Sequence, residues 1–107
     1  MTYGFRAAAV ILLSGILLAG PAFAQGSGAD TYKAKCAMCH GADGLAATPM
    51  GKSMKILSIK DAAMVGAPDA RLIASTTNGK GKMPSYKGKL TDAQIKDVIA
   101  YMRSLGK

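Results

Sequence analysis

Tryptophan is absent from this 107-residue chain, histidine occurs once, cysteine twice, and aromatic residues make up only 6%. Both phenylalanines, Phe5 and Phe23, lie near the amino terminus, so beyond position 24 the large rings are Tyr32, Tyr86 and Tyr101. So short a chain allows one small domain. With so few rings it does not fill a conventional core unaided, and domains of this size usually need a disulfide, a metal or a partner. No long apolar run follows position 24, which excludes a later membrane-spanning helix, and no alternating pattern of useful length marks strands. Internal repeats and low-complexity tracts are also missing. Acidic residues number only 6 against 14 Lys and Arg, giving a formal charge of +8.

What is present begins with Arg6, followed by an apolar run over residues 7–19 interrupted by Ser14, then Gly20, Pro21, Ala22, Phe23 and Ala24. Charged n-region, apolar h-region and A-x-A site in this order predict a secretory signal peptide over residues 1–24, cut after Ala24. A retained membrane anchor is the competing reading, but the run falls short of the roughly 18–20 apolar residues a span requires. Cleavage leaves a soluble domain, residues 25–107, with no stable membrane insertion. Export places the two cysteines in an oxidising compartment, where a disulfide is the default.

The exported part reads as all-α. Ser27 with Asp30 three residues on opens a helix running through Tyr32 toward Cys39. Residues 41–51 contain three Gly and Pro49 and read as loop. Residues 58–61 could cap a short helix through Val65 that Gly66 ends, and Pro68 suits the first turn of a helix from Asp69 to about Thr77, stopped by Asn78 and Gly79. Residues 79–88 lack periodicity and read as loop. Thr91 and Gln94 form a capping box, after which Ile95, Val98, Ile99, Met102 and Leu105 fall on one helical stripe ending at Gly106.

The chemistry is concentrated at Cys36, Ala37, Met38, Cys39 and His40, which use both cysteines and the single histidine within five positions. C-x-x-C-H is the attachment pattern of c-type haem. Two thiols three positions apart on a helical turn point the same way, so each can add to one of the two vinyl groups of a porphyrin, and the adjacent His40 offers its imidazole to the iron. Three other readings compete. A thioredoxin-like dithiol needs a βαβ setting, a zinc site needs one more ligand than this set supplies, and a plain disulfide leaves His40 unexplained.

With these residues in view, positions 28–107 resemble a class I c-type cytochrome of the small bacterial mono-haem kind. The resemblance rests on Cys36, Cys39, His40 and Gly41, on Pro49, on the segment Asn78, Gly79, Lys80, Gly81, Lys82, Met83 and Pro84, and on the terminal helix over 94–105 with Tyr101. It implies three to four helices wrapped around one covalently bound haem c. It also implies packing of Gly28 and Tyr32 against Tyr101, and a hydrogen bond from His40 Nδ1–H to the Pro49 carbonyl, where the alternative is that Pro49 merely turns the loop. Arg71, Asn78 and Tyr86 could reach haem propionates or the ligand sulfur, or be ordinary surface or core.

The sixth iron ligand must be chosen among Met38, Met50, Met54, Met64, Met83 and Met102. Met102 and Met64 sit in helical segments and read as packing, since methionine fills irregular gaps. Met38 lies inside the attachment turn. Met83 sits in a Gly-rich loop with Pro84 behind it, the position of the axial methionine in the family, so the resemblance assigns it, with Met50 and Met54 in reserve. A thioether opposite imidazole raises the potential relative to a bis-histidine site and leaves no vacant position.

The expected function is that of a soluble, monomeric periplasmic electron carrier without enzymatic activity. The alternative is a haem enzyme or gas sensor, peroxidase-like, with an open sixth position. Lys33, Lys35, Lys80, Lys82, Lys87 and Lys89 flank the two segments expected to frame the haem edge and would steer redox partners with acidic docking surfaces, unless they form only a solvated basic surface. Nucleic-acid recognition is not expected, for want of any recognition motif.

Overall fold

The computed structural model describes residues 27–107, so the expected signal peptide at 1–24 lies outside the described residues. Six helices follow in order: α1 Gly28–Lys35, α2 Ala37–His40, α3 Pro49–Ser53, α4 Ala62–Val65, α5 Asp69–Asn78 and α6 Asp92–Leu105. Among the described residues there is no strand, only two isolated bridges, Lys80 with Met83 and Lys87 with Leu90. The all-α expectation holds. Two details differ from it, because the first helix divides at Cys36 and the 41–51 loop gives way to α3.

Each start obeys local chemistry. The Ser27 hydroxyl accepts from Asp30 N–H at 3.1 Å to open α1, and the Asp61 carboxylate accepts from Ala63 N–H at 2.9 Å to open α4. Pro68 stands one place earlier than expected, as the N-cap of α5, and Gly79 follows its last residue. Thr91 and Gln94 complete their reciprocal capping box at 3.0 and 2.8 Å, satisfying two amides that a helix start otherwise leaves without partners. The first helix breaks at Cys36, whose φ of −119° departs from the helical value although its ψ of −32° does not. The amides of Cys39 and His40 then both bond back to the Cys36 carbonyl, at 3.2 and 2.9 Å.

The core is a single cluster in which the α6 stripe of Ile95, Val98, Ile99 and Met102 meets Tyr32, Ile59, Leu72 and Leu90. Helices α1 and α6 form the tightest pair, and Gly28 is the reason they can approach. A Cβ at that position would stand 2.4 Å from the Asp97 carbonyl oxygen. Next to this crossing the Tyr32 and Tyr101 rings lie 5.4 Å apart, tilted by 56°, a favourable edge-and-face arrangement. Tyr32 is 1% exposed and spends its hydroxyl on the Gly41 carbonyl at 2.7 Å. That bond ties the crossing to the residue after His40, so α1–α6 packing sets where the attachment turn sits.

Candidate functional site

Cys36, Cys39, His40 and Met83 all line one cavity of about 480 Å³. Its walls come from α2, from residues 54–57, from the α4–α5 corner, from α5, from the loop 80–84 with Tyr86, and from Ile99 and Met102 of α6. The volume lies within the range of roughly 300–1,000 Å³ usual for organic cofactors. A second, shallow depression of about 280 Å³ at Gly41, Ala42, Asp43, Ala47 and Thr48 gathers no reactive groups.

The attachment turn is gripped from behind by Thr48. Its hydroxyl donates to the Cys39 carbonyl at 2.8 Å while accepting from Gly51 N–H at 2.9 Å, so one side chain caps α3 and holds α2. Only glycine fits at 51, where a Cβ would come within 2.6 Å of the Cys39 carbonyl. Sequence reasoning missed both residues, although a Thr directly before a Pro is a legible helix start.

Both cysteines are half-buried, and no disulfide joins them. Burial, and secondarily the Cys39 thiol, push the Cys36 thiol up to about 11. A dithiol oxidoreductase lowers its attacking thiol, and burial here acts in the opposite direction. Among the described residues no group of three His, Cys, Asp or Glu is placed to hold a metal.

Burial lowers the His40 imidazole below its ordinary value, keeping it neutral and able to donate a lone pair. Its Nδ1 is buried without a hydrogen-bond partner. The expected bond to the Pro49 carbonyl is therefore not made; Pro49 is the first residue of α3, where the carbonyl is directed along the helix. Two thiols and a neutral imidazole brought together on the wall of one cavity are the donor set a c-type haem takes.

The loop that carries Met83 is shaped by a tight turn. Lys80 N–H bonds to the Met83 carbonyl at 3.1 Å and Met83 N–H to the Lys80 carbonyl at 2.9 Å, which holds Met83 at the base of the turn on the cavity wall. Of the other methionines, Met54, Met64 and Met102 also line the cavity. Met64 and Met102 pack on the core as expected. Met50 is 45% and Met38 75% exposed, and neither lines the cavity. Tyr86 reaches across to the Lys35 carbonyl at 3.1 Å, and Arg71 joins the lining, whereas Asn78 does not.

Lys35, Lys80 and Lys82 line the cavity as their sequence positions suggest, and Lys55 and Arg71 join them. Lys33, Lys87 and Lys89 stand outside the lining. Every charged residue of the lining is a cation, which sequence distance alone did not show for Lys55.

Known proteins agree with this geometry. Residues 23–102 match the protein family described as cytochrome c oxidase, cbb3-type, subunit III. Cytochrome c6 of Nostoc sp. (strain PCC 7120) is 39% identical over 104 residues, spanning 91% of this chain and 89% of that protein. Cytochrome c6 of Synechocystis sp. (strain PCC 6803) is 32% identical over 94% of this chain and 83% of its own length. The solved structure of the KustC0563 c-type cytochrome superposes with a TM-score of 0.69 at 29% identity, covering 76% of this chain and 99% of that one. With two thiols and an imidazole on one cavity wall and relatives matched over nearly their whole length, the chain belongs to the small class I c-type cytochromes, carries one covalently bound haem c, and transfers electrons.

Proposed function

We propose that the chain is an exported, monomeric, non-enzymatic electron carrier of the periplasm, holding its haem through Cys36 and Cys39 with His40 and Met83 as the two axial ligands. One observation supports this reading: residues distant in sequence, Cys36, Cys39 and His40 together with Met83, line the same cavity. The haem iron supplies one-electron exchange between its ferric and ferrous states. The protein's own residues do the rest. Cys36 and Cys39 anchor, His40 presents a neutral nitrogen, and Met83 closes the remaining axial position against small ligands, which disfavours peroxidase or gas-sensor chemistry.

The cavity's electrostatics support the same reading. Five cations, Lys35, Lys55, Arg71, Lys80 and Lys82, line it with no carboxylate among them. Positive charge around the iron favours the reduced form, adding to the thioether's effect, and presents a cationic rim to an acidic partner. The matching family is described by an oxidase subunit; the separate carrier is favoured because the cytochrome c6 relatives are matched over most of their own length.

The test is the absorption spectrum of the ferric haem-loaded protein. A weak long-wavelength thioether–iron band is expected in wild type and in Met54→Ala, and its loss in Met83→Ala. Survival of the band in Met83→Ala overturns the ligand assignment. Mass measurement of the exported product, expected to begin after Ala24, tests the leader.

A further inference from the structure

The segment carrying Met83 is moored almost entirely to one side of the cavity. Gly79 N–H bonds to the Ser75 carbonyl at 2.8 Å, Tyr86 N–H to Thr76 at 3.0 Å and Lys87 N–H to Thr77 at 3.0 Å, and the Ser85 hydroxyl donates to the Thr77 carbonyl at 2.7 Å. All of these end on α5. Among the described residues, the hydrogen bond that crosses from this segment to the opposite wall is that of the Tyr86 hydroxyl to the Lys35 carbonyl, at 3.1 Å and 51 positions away in sequence.

Its acceptor is placed by the break in the first helix. Lys35 is the last residue of α1, and the amides of Cys39 and His40, in the next turn, are taken by the Cys36 carbonyl. A terminal helix carbonyl is thus presented to a donor from outside the helix, one position before the first attachment cysteine. The Tyr86 ring packs on the core cluster, so the hydroxyl is delivered by a supported side chain.

We propose that Tyr86 is a positioning residue for Met83: its hydroxyl latches the methionine loop to the attachment wall and holds the thioether against the iron. The inference rests on Met83 being the axial ligand. Opening the loop requires breaking the bond to Lys35, so the latch governs how often the iron becomes accessible, while the moorings on α5 hold the loop to its own side.

Stopped-flow binding of cyanide to the ferric haem-loaded protein reads this directly, since cyanide enters only when Met83 leaves and the rate at saturating cyanide reports loop opening. Tyr86→Phe, which removes one oxygen and keeps the ring, is expected to raise that limiting rate by about two- to tenfold, the worth of one ordinary hydrogen bond, with the thioether–iron band retained. Ser85→Ala, which removes a bond on the α5 side, is expected to leave it within about twofold. A residue of merely structural importance would lower the denaturation midpoint without moving the limiting rate. A limiting rate in Tyr86→Phe equal to that of wild type, with the band present in both, overturns the latch alone, as does an equal rise in both variants. A wild-type protein without the band overturns the Met83 assignment and the latch with it.

Discussion

The Arg103 guanidinium clasps the corner between α4 and α5: its Nε donates to Asp69 Oδ1 at 2.6 Å, while its terminal nitrogens donate to the Met64 carbonyl at 3.2 Å and to the Ala67 carbonyl. Met64 and Ala67 are cavity walls, so a side chain of the terminal helix sets the position of the wall facing it. Arg103→Ala leaves two carbonyls without their donor and is expected to cost about 2 kcal/mol in denaturant unfolding. Asp69 is 66% exposed at its side chain, so Asp69→Asn is expected to cost less than about 1 kcal/mol. Equal losses in the two variants would locate the energy in the ion pair instead of the carbonyls.

At the α1–α6 crossing, Gly28→Ala must push the Asp97 carbonyl away from a contact of 2.4 Å. Overpacking of this kind typically costs about 1–3 kcal/mol, and because the obstacle is backbone the upper part of that range is expected. Thermal unfolding of the haem-loaded variant measures it. Gly106→Ala is a useful comparison, since its φ of −89° suits any residue and a Cβ there meets atoms only at 3.5 Å or beyond.

Tyr32 couples stability to alkaline pH. Burial first, then the Cys36 thiol, Asp43 and Tyr101, raise its phenol well above the ordinary value of 10.0; a thioether at Cys36 removes the second cause and leaves burial, Asp43 and Tyr101. A raised folded value means that this group's contribution is fully present below about pH 10 and declines as pH rises above it, because the unfolded phenol ionises first. Unfolding free energy measured between pH 8 and pH 11 should fall more steeply in wild type than in Tyr32→Phe. Loss of the hydroxyl also strips the Gly41 carbonyl of its donor, so the variant should start about 1–2 kcal/mol less stable at neutral pH. Parallel pH profiles would show that Tyr32 ionises freely in the folded protein.

Withholding the haem should cost the fold itself. Without the haem, core side chains such as Leu72, Ile99 and Met102 face an open cavity of about 480 Å³, and a domain this small has little other apolar burial to offset that loss. The Cys36→Ala, Cys39→Ala double variant made without haem is expected to show reduced helical circular dichroism and no cooperative melt. A native-like melt would mean that the tyrosine crossing and the α6 stripe suffice alone.

The cationic rim predicts salt-sensitive electron transfer. Reduction by a small anionic reagent, or by an acidic protein, should slow as ionic strength rises toward the regime where the Debye length is about 10 Å. Lys82→Glu, on the cavity lining, should slow it severalfold at low salt and little at high salt. A rate indifferent to both changes removes steering from the account.

Much of the site was legible because its chemistry is local. Cys36, Cys39 and His40 fall within one turn, and the Thr91–Gln94 box lies within four residues, so each carries its geometry in its spacing. Thr48 was not legible as a clasp, because its grip on Cys39 depends on the 41–51 loop folding back. The Pro49 carbonyl was assigned to His40 by resemblance alone, and α3 places it elsewhere. Lys55 and Ile56 follow α3, and no periodic pattern marks the cavity wall they form.

By itself the sequence determined an all-α chain with one haem attachment turn and a short list of candidate methionines, since capping, helical period and the C-x-x-C-H spacing act over a few residues. The tertiary structure decided which of those methionines share a cavity with His40, which cations line it, and that Tyr86 reaches Lys35. Those relationships arise when the α1–α6 crossing and the core around Ile95 bring distant stretches together. Such closure depends on apolar burial across the whole domain, and no short stretch of sequence encodes it.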